Sequence, residues 1–272
     1  MKPRGSPRAC SGEDVTAARD NGPLWCLLSG GKDSVCAAHF LAQRGRLAGC
    51  VFLDTGIALP DTRPFVERLC ESQGWDLLIY RAPASYEELV MRWGFPSGPV
   101  GHSWAYGWLK ERGLIQAVKE LGHEATFASG ARRKESARRA RTIVRGFRHN
   151  YRIRIENPIV DWSTPDTWRY LRENGLDVSP SYVTLGRSGD CLCGAFSQRG
   201  EADVIRRAYP AVADRLARLE ARASEKFPYP KCRWGNSKRS IGGFTALKGR
   251  RTLEAFVCGG DCADGASEEA TA

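Results

Sequence analysis

The stretch Leu27–Ala42, LLSGGKDSVCAAHFLA, limits the possible folds more than any other: an apolar run enters two glycines and leaves as a helix. The run LWCLL suits a buried parallel strand, and Val35, Ala38 and Leu41, with Phe40 beside them, give the stripe of a helix packed on it. A helix N-terminus offers unpaired N–H groups and a partial positive charge, so such a turn is a phosphate site. Gly30 and Gly31 permit close backbone approach, while Ser29, Lys32 and Ser34 add donors. Asp33 is a candidate holder of Mg²⁺ between phosphates. The longer GxxxxGK[ST] pattern is absent.

The same strand-to-helix rhythm recurs. GCVFLD (Gly49–Asp54) reads as a second strand, DLLIY (Asp76–Tyr80) as a third and ATFAS (Ala125–Ser129) as a fourth, with a helix over Asp61–Gly74. This alternation predicts an α/β fold, a doubly wound, mostly parallel sheet. Ligands of such sheets bind beyond the carboxyl ends of the strands, where the turns at Ser29, Asp54 and Ser129 fall. Past about Ile155 the pattern becomes helical, with a helix over Thr164–Asn174 and a longer one, interrupted by Pro210, from Glu201 to Lys226. The expected division is a loose arm over 1–22, an α/β domain over 23–190, a helical, cysteine-bearing region over 191–262 and a disordered tail over 263–272.

The net charge of +10 is unevenly spread. Arg132 to Arg154 holds ten Lys/Arg and one Glu, leaving 31 basic against 30 acidic residues elsewhere. That concentration points to a local anionic partner, DNA or tRNA among them, or else to a solvated helix face. No apolar run is long enough to span a membrane and the basic N-terminus lacks a secretory core, so a cytoplasmic protein with reduced thiols is expected.

Four segments in order carry a family resemblance. SGGKDS resembles the PP-loop of the adenine nucleotide alpha-hydrolase superfamily, and LDTGIALPDTRPFVE, SGARRKESARRA and NPIVDWSTPDTWRYL resemble segments of the phosphoadenosine phosphosulfate (PAPS) reductase family. The resemblance implies a Rossmann-like sheet and an adenine nucleotide, ATP or PAPS, as ligand. It places Asp54, Thr55 and Gly56 beside the nucleotide and brings Gly130 and Arg132 to the phosphates, with Arg138 or Arg139 one turn further. An arginine fork suits such oxyanions. Asp161 and Trp162 read more simply as structural.

Sulfonucleotide reductases of this family use a cysteine in an E-C-G-L/I-H context, whereas this tail reads VCGGDCADG. A complete SGGKDS is closer to the superfamily's ATP pyrophosphatases, which cleave between the α and β phosphates and activate an acceptor, in some members for sulfur transfer. Lys32, Asp33 and Arg132 are then the catalytic candidates, with a sulfur donor or thiol reductant as partner. True reduction of PAPS or a related sulfonucleotide is the alternative, and a nucleic-acid-binding module without turnover is the reading from another class.

Cys26, Cys36, Cys50 and Cys70 fall within strands and helices and read as buried packing residues. Cys10 carries no signal. The glycine-flanked pairs Cys191/Cys193 and Cys258/Cys262 suit four-thiolate binding of an iron–sulfur cluster, 4Fe–4S by preference, or tetrahedral zinc. Cys232 is then spare, as a sulfur-carrying or nucleophilic thiol. His39 is expected on the polar face of the first helix and His102 in a loop, FPSGPVGHSWAYGW. Trp93, Trp104 and Trp108 form either a base-stacking platform or a small core.

Overall fold

A computed structural model describes residues 22–148 and 153–235 of the protein. The arm before residue 22, the tail, Cys10, Cys258 and Cys262 lie outside the described residues.

Four of the strands fall where the apolar runs place them: β1 Leu24–Leu27, β2 Leu47–Asp54, β3 Leu77–Arg81 and β4 Thr126–Ala128. Two short strands, β5 Gly146–Arg148 and β6 Arg154–Glu156, complete one sheet in the order β3-β2-β1-β4-β6-β5. Every neighbouring pair is parallel except β5 with β6. The chain winds outward from β1 to β3 and then returns to pair β4 on the other side of β1. The order therefore reverses between β1 and β4, the place where a doubly wound sheet opens a ligand crevice.

Helices cover both faces. On one, α1 (Lys32–Ala42), α2 (Thr62–Gln73) and α7 (Thr164–Glu173) bury Val35, Leu41, Phe65, Val66 and Leu171 against Leu28 and Phe52. On the other, α5 (Arg112–Leu121) sets Leu114, Ala117 and Val118 on Val51, Phe127 and Ile155. Both faces of the central strands are thus apolar, as a buried parallel sheet requires.

A separate core gathers α3 (Tyr86–Trp93), α4 (Gly98–Tyr106), α9 (Glu201–Ala208) and α10 (Pro210–Ser224) around Leu192 and Trp234. Pro210 opens α10 at its first turn, which explains the interrupted helical pattern. Cys191 and Cys193 pack in this core with Ile57, Leu59 and Tyr86, so the cysteine loop is seated against segments from before residue 190.

Two expectations change. The FPSGPVGHSWAYGW stretch is helical, because Pro99 starts α4 and Gly101 lets the helix lie on Pro96, where a Cβ would come within 2.8 Å of backbone. A π-helical turn, Gly107–Glu111, then joins α4 to α5. His39 is buried rather than solvent-facing, since α7 and Trp75 close over α1; its ring bonds Tyr170 Oη at 2.9 Å and burial lowers its pKa. Among the described residues, no helix is long and apolar enough to cross a membrane.

Candidate functional site

The turn after β1 meets the crevice at the switch point. Gly30 adopts φ +81°, a left-handed conformation that favours glycine, and Gly31 caps α1 with no side-chain hydrogen bond to its first amides. Ser34 Oγ folds back to donate to the Gly31 carbonyl at 2.9 Å and accepts from the Ser29 amide at 3.2 Å. The turn is thus shaped from within while the first amides of α1 are left without a side-chain cap.

Next to it lies a buried set of charges. Arg132, fully buried, donates through Nε to Asp33 Oδ1 at 2.8 Å and through Nη2 to Oδ2 at 3.2 Å. Lys32 Nζ reaches the same Oδ2 at 3.0 Å and lies 5.3 Å from the centre of the Tyr182 ring. Arg132 also donates to the Trp162 carbonyl at 3.2 Å, tying the turn after β4 to the segment before α7. Gly130 makes this approach possible: a Cβ there would stand 2.5 Å from the Asp33 carbonyl group, closer than any side chain tolerates. Trp162 packs on Phe40 and Tyr170, while Asp161 accepts from Arg133 and Arg145 at the surface.

The turn after β2 is built differently. Asp54 Oδ1 accepts from the Gly56 amide at 2.9 Å, with Gly56 at φ +69°. Thr55 is turned inward and donates to the Asp190 carbonyl at 2.8 Å. Sequence reasoning passed over Asp190, although its carboxylate is an organising group. Oδ2 pairs with Lys110 Nζ at 2.5 Å, and Oδ1 lies 2.9 Å from Ser188 Oγ, itself 3.2 Å from the Ser29 carbonyl. Ser179 donates its amide to the Gly30 carbonyl at 2.9 Å. The α8 segment (Pro180–Leu185) and the loop behind it therefore overlie the SGGKDS turn. The available signal was the density of small hydroxylic and glycine residues in SPSY and GRSGD.

The acidic groups at these turns are each paired with protein cations. Asp33 is engaged by Arg132 and Lys32, Asp190 by Lys110, and Asp54 faces Arg63 and Arg81 at 3.8 Å each. The four-cysteine set is half visible. Cys191 and Cys193 are buried, and contact with the Cys193 thiol plus burial push Cys191 well above the usual thiol range. Among the described residues no three Cys, His, Asp or Glu side chains gather as a metal set. Cys26, Cys36, Cys50 and Cys70 are buried in the sheet domain as expected, and burial raises Cys36 to about 12.

Part of the basic segment is paired within the fold. Arg132 and Arg139 are buried in ion pairs, and Arg133 and Arg145 share Asp161. Lys134 and Arg141 remain exposed, and the side chain of Arg138 lies outside the description. The three tryptophans pack on one another, Trp93 lying 5.2 Å from Trp104 and 5.6 Å from Trp108 between ring centres, in the manner of a small core.

A family model described as phosphoadenosine phosphosulfate reductase domain matches residues 23–196, which spans both the SGGKDS turn and the segment laid over it. The chain belongs to this PAPS reductase family of enzymes. The phosphoadenosine 5'-phosphosulfate reductase of Xanthomonas campestris pv. campestris is 32% identical over 183 residues, covering 64% of this chain and 74% of that protein. The one from Alkalilimnicola ehrlichii is 29% identical over 175 residues, covering 62% and 70%. Among solved structures, the phosphoadenylyl-sulfate reductase from Candida auris in phosphate complex aligns at 19% identity with a TM-score of 0.47, covering 60% of this chain and 78% of that one. The family match stops before Cys232. The later cysteines thus belong to a part of the chain that the match does not reach.

Proposed function

We propose that this chain binds an adenine nucleotide with its 5'-anhydride at the N-terminus of α1 and opens that anhydride in sulfur metabolism. The observation that carries this reading is the uncapped start of α1 beside Lys32, at the one point where the strand order reverses. Amides at a helix start and a lysine neutralise charge as it builds on the leaving group, which is the main contribution a protein makes to phosphoryl chemistry. In this reading Lys32 turns from Asp33 to the phosphates, and Arg132 keeps Asp33 in place.

ATP is the substrate that the residues favour. An acceptor oxygen attacks the α-phosphorus, the α–β bond breaks, and pyrophosphate leaves. The SGGKDS turn is complete, and every described cysteine is buried. The acceptor would be a small molecule or a nucleic acid, with a sulfur donor completing the transfer. The relatives' printed name supports the second reading, an adenine sulfonucleotide such as PAPS. There a thiolate attacks the sulfate sulfur, the S–O bond to the nucleotide breaks, and a thiol reductant supplies the electrons that release sulfite.

Calorimetry with ATP and with PAPS tests the binding, and assays for pyrophosphate and for sulfite in the presence of a dithiol separate the readings. Lys32→Ala is expected to weaken the bound nucleotide at least tenfold, about 1.4 kcal/mol. Unchanged affinity in that variant would remove the phosphates from this turn.

A further inference from the structure

Glu135 is a buried acid that the account above leaves without a task. A single 3-10 turn, Arg133–Glu135, follows Arg132 and folds Glu135 under α6 (Ala137–Thr142). Its side chain is 6% exposed, and that of its ion-pair partner Arg139 is 2% exposed, with Nη1 to Oε2 at 3.1 Å. Neither carboxylate oxygen accepts a hydrogen bond from a described residue. A carboxylate removed from water without hydrogen bonds is a costly arrangement unless it has work to do.

Its electrostatic surroundings are the phosphate site itself. Arg139 faces it from α6, Arg132 from the turn after β4, and Lys32 and Asp33 from α1. Burial pushes the Glu135 carboxyl up and Asp33 pushes the same way, while Arg139, Arg132 and Lys32 oppose them. Three cations and two anions share this space, a net charge of +1. A phosphate or sulfate group brings one or two further negative charges. The arriving oxyanion and the Glu135 carboxylate then compete for the same guanidinium.

We propose that Glu135 is a displaceable counter-ion of the site: it holds Arg139 while the site is empty, and takes up a proton as an anionic nucleotide claims that arginine. This rests on the nucleotide reading above and adds to it a positioning residue with a proton balance. The proton comes from solvent buffer, and no bond in the nucleotide need break. Binding should therefore weaken as pH rises, by up to tenfold per unit where one full proton is taken up.

The test is calorimetry with ATP and with PAPS in two buffers of different ionisation enthalpy, between pH 6 and 8, for wild type, Glu135→Gln and Arg139→Gln. Wild type should show buffer-dependent heats amounting to a proton uptake of up to one per nucleotide. Glu135→Gln should bind at least as tightly at pH 8 and lose that uptake. The phosphates' own titration is common to both proteins and cancels in the difference. Arg139→Gln should bind more weakly and also lose the uptake, because Glu135 without its cation is protonated beforehand. Circular dichroism confirms that each variant is folded. Nucleotide binding with equal proton uptake in wild type and Glu135→Gln overturns this proposal alone. No binding of either nucleotide to wild type overturns the nucleotide reading and this proposal together.

Discussion

Asp33 is the residue whose loss should be felt most, and the structure gives the size of the effect. Asp33→Asn keeps the shape but replaces a carboxylate that serves two buried cations with an amide that has one acceptor and turns an NH2 toward the other. Arg132, with no exposed surface, loses contacts of 2.8 and 3.2 Å and keeps the Trp162 carbonyl, a neutral acceptor, at 3.2 Å. Lys32 loses its 3.0 Å pair. Removing one member of a buried ion pair costs about 3–5 kcal/mol, whereas an exposed pair is worth about 0–1. For a chain of this size each kcal/mol lowers the melting temperature by roughly 2–4 °C, so a fall of about 6–20 °C is expected. Thermal and urea unfolding followed by circular dichroism at pH 7, without nucleotide, measure it. Arg132→Met combined with Asp33→Asn should cost less than the two single changes added together, because the apolar side chain removes the more deeply buried of the two cations that Asp33→Asn leaves unpaired. A loss within about 1 kcal/mol for Asp33→Asn, or simple additivity in the double variant, would refute the reasoning.

Two further outcomes follow from local geometry. Gly130→Ala would drive a methyl group into the Asp33 backbone at 2.5 Å, so a loss of about 1–3 kcal/mol or more should accompany weakened nucleotide binding; an unchanged melting curve would deny the close approach. Asp166 accepts from the Ser163 amide at 2.8 Å and hydroxyl at 2.6 Å at the start of α7, and these bonds draw its pKa down to about 2. A depressed folded-state pKa adds stability above the unfolded value of about 4 and loses it as pH falls through about 2. Unfolding measured from pH 6 to 1.5 should find Asp166→Asn less stable at pH 6 and equal to wild type near pH 1.5; a constant gap would reject the assignment.

What the sequence disclosed follows the physics of local signals. LWCLL, GCVFLD and DLLIY are continuous apolar runs, and a strand buried on both faces must read that way. The SGGKDS turn was legible because the backbone conformation at Gly30 and the uncapped helix start are set within six residues. β5 and β6 were not, since each has three residues and β6 alternates half-buried Arg154 and Glu156 with buried Ile155. α4 was hidden by its two glycines and proline, residues that ordinarily mark loops, and only contact with Pro96 explains the second glycine. His39 was misjudged because the helical stripe of α1 predicts one covered face, while α7 covers a second from 131 residues away.

Asp190 is the instructive omission, because no local pattern marks a residue whose partners are 80 and 135 residues distant, one on its carboxylate and one on its carbonyl. Its consequence reaches the chemistry. One side chain joins Lys110 of the π-helical turn to Ser188, which touches the Ser29 carbonyl, and its own carbonyl holds Thr55. The next residue along the chain is Cys191, whose carbonyl Arg187 engages at 3.4 Å while pairing with buried Glu201. A shift of the cysteine loop thus cannot leave the turns after β1 and β2 untouched, since Asp190 would carry it to both. Lys110, the cation paired with Asp190, lies in the π-helical turn Gly107–Glu111. Asp190 thus links the turn after β1, through Ser188, to the cysteine loop that follows it in the chain. The family match, residues 23–196, spans both.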